Sequence, residues 1–569
     1  MATTLQSLLA QRLDKHPERR ALAWYDSREQ LEWQTVAQVH AAALPAMARL
    51  RELGLRRGDV CVLVLHSSEP AGKLLLATLL LGAVPLLVAP PTLQRFNSDL
   101  AKILFRTIQR SGAKVVVYGE ALEESQADWS ALARRTRFVA AEDLLRDRDP
   151  RSEPIEAVSP RPSSIAALQL TSGTTALPRI AMWDHRAVVA ALAGMVAAMR
   201  LDQDDVCFNW TPLYHDMGLV NNFLLCLTEG VPLVMMKPQE FVRRPALWLR
   251  GLHRSGATLT WSPNFGFAMT AERVRDKELR DLDLSGVRAF WNAAERVHLD
   301  TIRRFEQRFG RYGLRSAAVK TNFGCVENVG GATFSEVDGP IRVEHIDREQ
   351  LQRRQIAVAA TTPAKAVTVV GVGRPNPGIE CVVLGARLRI LPEGRVGELA
   401  FRTPSRMLGY LGDRAATRRA LLGDYLRTGD LGYVRDGEVF WLGRVCDRIT
   451  VRGKKIDPSD LEAVINDVGG LRAGCFAAFG ADEASAGTER IVVVAEVREP
   501  LERSAADIRN EIIERAFRRL DVHVSEVVLV RSGALAKTSS GKRRHRRFRE
   551  LYLAGELTPF VIAPRPGKQ

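Results

Sequence analysis

Two rhythms of hydrophobic and polar positions alternate along the first 145 residues. Asp59–Ser67 (DVCVLVLHS) and Lys114–Tyr118 (KVVVY) are short apolar runs that predict buried strands. Val36–Leu53, with a kink expected at Pro45, and Leu100–Ser111 repeat at helical spacing. Such alternation predicts βαβ units and a mostly parallel sheet. Leu74–Pro91 is nearly all apolar and long enough for a marginal membrane helix, but Gly82 and Pro85 divide it. A buried helix feeding a buried parallel strand is expected there, and no membrane span. Arg146–Pro162 is a charged, proline-rich connector. A second α/β region runs to about residue 335, with apolar strands such as Val231–Met236. From Gly371 to Trp441 the segments ECVVLG, RLRILP, VGELAFR and EVFWLG, parted by glycine-rich turns, predict a small sheet or barrel. After Asp447 comes an α+β tail: IVVVAEV, an amphipathic helix Ala506–Leu520, and VSEVVLV.

Length changes this picture by requiring division, since 569 residues exceed the ~250–300 at which one core stops growing. A hydrophobic share of 46% with 26% charged residues excludes global disorder. The seven cysteines are scattered, odd in number and never spaced as CxxC. They argue against a disulfide framework or zinc site and for a reducing cytoplasm. The N-terminal stretch lacks a signal-peptide core and reads as the start of a soluble protein. A formal charge of +15 suggests acidic partners. The densest cluster, Lys542–Arg549, has six basic residues in eight, but no nucleic-acid-binding motif accompanies it. Nucleic acid is therefore not expected as a partner.

The richest local chemistry is Gln169-Leu-Thr-Ser-Gly-Thr-Thr-Ala-Leu-Pro-Arg179. Thr171, Ser172, Gly173, Thr174 and Thr175 follow an apolar strand and offer many hydroxyl and backbone N–H donors, with Arg179 adding charge. Such a loop can wrap phosphate oxygens, although it is not a Walker A loop, and a Ser/Thr-rich surface turn is the plainer alternative. This segment resembles the TSGTTGxPK loop of the adenylate-forming superfamily, which includes acyl-CoA synthetases, peptide-synthetase adenylation domains and luciferases. Four further motifs follow in that superfamily's order. FGCVE (323–327) resembles its YGxTE, LRTGDLG (426–432) its TGDLG, GRVCDRI (443–449) its GRxxDxI, and KTSSGK (537–542) its PKTxxGK. TPLYHDMGL (211–219), SPNF (262–265) and WNAAERV (291–297) are similar to signatures of the fatty acyl-AMP ligases. So is an inserted segment between Gly330 and Pro375, which in those ligases is implicated in refusing coenzyme A.

The resemblance implies ATP and Mg²⁺ as cofactors and assigns roles residue by residue. Glu327 would hold Mg²⁺, which prefers carboxylate, water and phosphate oxygens. Phe323, beside Gly324, would stack on adenine, with a core phenylalanine as the competing reading. Asp430 would accept hydrogen bonds from ribose hydroxyls, and Arg444 would hold ribose or phosphate oxygens. Ala294 and Glu295 would also line the nucleotide. Lys542 would stabilise the charge that gathers when a carboxylate attacks the α-phosphate. His215 and Asp216 stand where the family lines its acyl site, His215 with a catalytic part, unless they form a satisfied core pair. Asn221, Asn222, Trp261 and Asn264 would line the acid.

Several residues depart from the family pattern. Ala176 replaces glycine, Arg179 lysine, and Arg296 proline, while Cys446 stands where Asp or Lys is usual at the hinge. Arginine keeps the charge of lysine but not its geometry, so altered ATP handling is foreseen. Asn221, Asn222 and Trp261 would narrow a long-chain tunnel, so a short, aromatic or polar acid is expected. The predicted architecture is an α/β adenylation domain over 1–445, of two α/β subdomains and a small β subdomain. A small mobile α+β domain over 446–569 completes it. The expected reaction is acyl-AMP formation, then transfer to the phosphopantetheine of an acyl or peptidyl carrier protein. Acyl-CoA ligation or a non-thiol acceptor is the alternative, and a degenerate acyl- or nucleotide-binding protein is a second.

Overall fold

A computed structural model describes residues 3–90, 98–119, 132, 134–146, 160–171, 178–451, 454–483, 488–535 and 543–560. Two large sheets dominate. One has nine strands, in the spatial order Arg374–Pro375, Gly330–Phe334, Val319–Cys325, Ala289–Ala293, Leu259–Pro263, Cys207–Asn209, Leu233–Met236, Arg20–Tyr25 and Leu31–Thr35. The other has seven, from Gly409–Tyr410 through Ile180–Asp184, Ile165–Leu170, Val84–Val88, Val60–Val64 and Val115–Tyr118 to Arg137–Ala140. Both are parallel at their centres and antiparallel towards an edge. One apolar cluster draws on both sheets and on the helices Glu69–Leu80 and His185–Met199. Two-sided burial explains why these strands read as continuous apolar runs rather than alternating ones.

Val84–Val88 follows the helix Glu69–Leu80 as the pattern predicts, with the turn at Gly82 alone. Pro85 lies inside the strand instead of dividing it. Its missing N–H is tolerated because the strand pairs with Ile165–Leu170 only at Leu86 and Leu168. Pro45 sits within one helix, Val36–Glu52. No helix among the described residues is long and apolar enough to cross a membrane.

The small β region is a five-stranded antiparallel sheet built on Glu380–Leu384, Gly397–Arg402, Tyr425–Arg435, Leu421–Leu422 and Glu438–Arg444. RLRILP, expected as a strand, is a 3-10 turn with Arg387 and Leu388 at positive φ, joined to the sheet by one bridge from Ile390 to Leu384. Leu388 and Ile390 face outward, Ile390 being 58% exposed, and only Leu391 packs inward, so no alternating buried face holds the segment in a ladder. The insertion is shorter than its sequence limits: Gly330–Phe334 belongs to the nine-stranded sheet. Within those limits lies a hairpin, Val343–Asp347 against Ala366–Val370, whose Ile346 and Val369 pack with Tyr433 and Phe440 of the small sheet. Beyond residue 446 a three-stranded sheet of Leu471–Glu483, Thr488–Val497 and Val524–Val530 packs on the helices Pro458–Ile465 and Ala505–Leu520. The largest apolar cluster of this region draws only on residues between Ile449 and Leu529, with Phe560 against it.

Candidate active site

The phosphate-loop sequence joins two antiparallel strands, Ile165–Leu170 and Ile180–Asp184. Its base is closed by Thr171 N–H donating to the Arg179 carbonyl at 2.9 Å and Arg179 N–H donating to Thr171 Oγ1 at 3.2 Å. Ser172, Gly173, Thr174, Thr175 and Ala176 lie outside the described residues. From the second strand, Trp183 donates its indole N–H to the Val326 carbonyl at 2.8 Å, which fixes the turn bearing Glu327. That turn joins Val319–Cys325 to Gly330–Phe334. Gly324 is required there, because a Cβ would stand 2.3 Å from the Gly330 carbonyl oxygen. The Glu327 carbonyl accepts from Met407 N–H at 2.8 Å, and Ser405 Oγ donates to Asn328 Oδ1 at 3.2 Å.

The Glu327 side chain has a partner that the sequence did not announce. The Tyr410 hydroxyl donates to Glu327 Oε1 at 2.6 Å, and the Arg179 guanidinium lies 5.3 Å from the Tyr410 ring centre. Burial, and then the Glu327 carboxylate, push the Tyr410 phenol far above its ordinary value, so it acts as a donor. Tyr410 belongs to a two-residue strand inside LGYLGDR, too short for periodicity to reveal.

Asp430 is buried and stands opposite Arg444 on paired antiparallel strands. Arg444 Nε lies 3.3 Å from Asp430 Oδ1. Asp430 above all, with Glu327 further off, holds Arg444 in its charged form against burial. Burial first, then the carboxylates of Glu327, Asp430 and Asp216, push the Cys325 thiol well above its usual value. Asp430 and Arg444 are paired directly, and Cys325 ends the strand that leads into the Glu327 turn. Phe323 packs 5.9 Å from Phe401 and 5.8 Å from Trp441, ring centre to ring centre, and is 5% exposed.

Among the residues expected to line the acid, His215 Nδ1 lies 2.7 Å from Asp216 Oδ1 at the start of a tight turn. Gly218 is dictated here, since a Cβ would stand 2.2 Å from the Pro212 carbonyl oxygen. Asn221 and Asn222 follow on a buried π-helical turn, Leu219–Leu224. Asn221 Oδ1 accepts from Gly331 N–H at 3.3 Å. Asn222 Nδ2 donates to the Met217 carbonyl at 2.8 Å, and its Oδ1 has no partner among the described residues. Trp261 pairs in register with Trp291, their rings 6.2 Å apart and inclined by 24°. Both are fully buried, and neither indole N–H finds a partner among the described residues.

Three expected site residues have structural tasks. Asn264 Oδ1 accepts from Asn292 Nδ2 at 3.1 Å and His298 N–H at 3.3 Å, and its Nδ2 donates to Thr301 Oγ1 at 3.3 Å. Glu295 Oε1 accepts the Phe265 N–H at 2.6 Å, satisfying a helix N-terminus. Ala294 takes φ 69°, a left-handed turn between them.

Arg296 reaches the C-terminal region, 2.8 Å from Asp460 Oδ1 and 3.5 Å from Asp457 Oδ1, and donates to Ser459 Oγ at 3.0 Å. Lys542 lies outside the described residues. Just after it, Arg543 and His545 both bind the buried Glu462, at 3.0 and 2.6 Å. Among the described residues no group of three or more His, Cys, Asp or Glu is gathered to hold a metal. A lone carboxylate such as Glu327 fits an ion that takes its other ligands from phosphates and water.

Residues 9–411 match the sequence profile of the AMP-binding enzymes. The chain is 28% identical to the long-chain-fatty-acid–AMP ligase FadD26 of Mycobacterium bovis, over 98% of this chain and 99% of that one. It is 29% identical to the medium-chain-fatty-acid–[acyl-carrier-protein] ligase JamA of Moorena producens, over 77% and 75%. A structure from work on the fatty acyl-adenylate ligases of E. coli and L. pneumophila superposes with a TM-score of 0.86. Its sequence is 26% identical, and the match covers 97% of this chain and 98% of that one.

Proposed function

The chain belongs to the AMP-binding enzyme family, and from that premise we propose that it is an AMP-forming ligase that activates a carboxylic acid and passes it to a carrier-protein thiol. A carboxylate oxygen attacks the α-phosphorus of ATP, the bond from that phosphorus to the bridging oxygen breaks, and pyrophosphate leaves. The phosphopantetheine sulfur then attacks the acyl carbonyl, AMP departs with the anhydride oxygen, and the thiol proton passes to solvent. One observation carries this: the Tyr410 hydroxyl on Glu327 Oε1 at 2.6 Å joins the Glu327 turn to Arg179 at the base of a hydroxyl-rich loop, and the Asp430–Arg444 pair stands on the hairpin whose Trp441 packs against Phe323.

In this scheme the 171–179 loop holds the phosphates, and Asp430 with Arg444 holds the ribose through a pair already ordered. Lys542 meets the charge of the transition state. Glu327 would hold Mg²⁺, whose charge would neutralise phosphate oxygens. Residues 1–445 form the adenylation domain, and 446–569 a small domain that turns between the half-reactions. The +15 charge suits an acidic carrier. The enzyme works in the cytoplasm, where seven unpaired cysteines persist.

The acid is short, aromatic or polar-substituted. Support comes from the bulky stacked rings of Trp261 and Trp291, and from two indole N–H groups and Asn222 Oδ1 that have no partner among the described residues and suit a polar acid. Pyrophosphate release across a panel of acids tests adenylation. Mass spectrometry with coenzyme A and with a phosphopantetheinylated carrier tests the acceptor. Efficient acyl-CoA formation would make the protein a coenzyme A ligase, and ATP binding without pyrophosphate release from any acid would make it a binding protein.

A further inference from the structure

Glu327 needs one oxygen directed at its ligand, yet a carboxylate on a three-residue turn can rotate. Tyr410 removes that freedom. Its hydroxyl holds Oε1 at 2.6 Å, and its backbone is fixed by the pairing of Gly409–Tyr410 with Ile180–Asp184. Leu408 and Leu411 extend this grip by donating to the carbonyls of Met182 and Ile180, each at 2.8 Å. Tyr410 N–H donates to Thr417 Oγ1 at 2.9 Å, and the ring is only 6% exposed. The other face of the arrangement is Arg179, 5.3 Å from the ring centre and 3.8 Å from Asp413. Arg179 also closes the base of the phosphate loop.

We propose that Tyr410 is a positioning residue of the adenylation site: its hydroxyl orients Glu327 towards a divalent cation, and its ring seats Arg179 at the end of the phosphate loop. The inference rests on the proposed role of Glu327 and goes beyond it. The two halves separate by substitution, because Tyr410→Phe keeps the ring and loses the hydroxyl, while Tyr410→Leu loses both.

Mn²⁺ binding to the full chain with a non-hydrolysable ATP analogue, followed by electron paramagnetic resonance, reads the first half without turnover. A hydrogen bond to a charged group is worth enough to weaken Mn²⁺ binding about ten-fold or more in Tyr410→Phe. Pyrophosphate–ATP exchange in that variant should recover as Mg²⁺ is raised, which a folding defect would not allow. Tyr410→Leu should in addition weaken binding of the analogue itself roughly several-fold, the ring contact being of cation–π strength. Wild-type Mn²⁺ affinity in Tyr410→Phe, alongside a loss in Glu327→Gln, would overturn the role of Tyr410 alone. Unchanged affinity in Glu327→Gln would overturn the premise about Glu327, and the inference with it.

Discussion

Replacing Trp261 with alanine should lengthen the acid that the enzyme prefers. The indole is fully buried and stacked 6.2 Å from Trp291, which in turn meets Phe334 edge-on at 4.9 Å. Removing it leaves a void bordered by apolar rings, where a hydrocarbon chain can extend. At about 0.8 kcal/mol per buried methylene, three added carbons gain ~2.4 kcal/mol, or roughly 60-fold in kcat/KM relative to the short acid. The same truncation costs about 3–5 kcal/mol of stability, including the lost stacking. Urea unfolding must therefore accompany the kinetics, and Trp261→Leu supplies a milder version of the change. The assay is pyrophosphate release over a series from butanoic to dodecanoic acid. A folded Trp261→Ala enzyme whose chain-length profile matches the wild type would show that Trp261 does not bound the acid.

Two other predictions concern the C-terminal region. Lys542→Ala should abolish most adenylate formation while ATP binding stays within a few-fold, because the charge is needed in the transition state; adenylate made at the wild-type rate would refute this. The Glu462–His545 pair predicts a pH dependence. Burial pushes His545 down, but Glu462 at 2.6 Å more than offsets it, so its folded pKa lies above the ordinary 6.5. The stabilisation is thus full below that value and lost as pH rises through the folded pKa. As pH rises from below 6.5 towards alkaline values, the wild type should lose more stability than His545→Gln in urea titrations; parallel profiles would contradict it.

Motif residues were legible where a short segment carries both the shape and the chemistry. Gly324 and Gly218 are dictated by close backbone approaches within a few residues, and Asp430 by a turn facing Arg444 in a hairpin. Roles that depend on distant partners were not legible. Tyr410 meets Glu327 across 83 residues of chain, and nothing in LGYLGDR announces it. Asn264 and Glu295 carry family signatures, yet their side chains serve a helix end and a loop. RLRILP has the apolar content of a strand, but with Leu388 and Ile390 turned to solvent and only Leu391 packed inward it does not join the ladder as one.

The sequence alone determined the α/β class, the order of the elements and the family, because periodicity and motif spacing are local properties that survive without a partner. Tertiary structure decided which charges meet. It seated Arg179 against Tyr410, brought the Tyr410 hydroxyl to Glu327, and sent Arg296 to Asp460 across the chain. A hydrogen bond or ion pair depends on ångström-scale separations between residues far apart in sequence, and only the packed sheets set those separations.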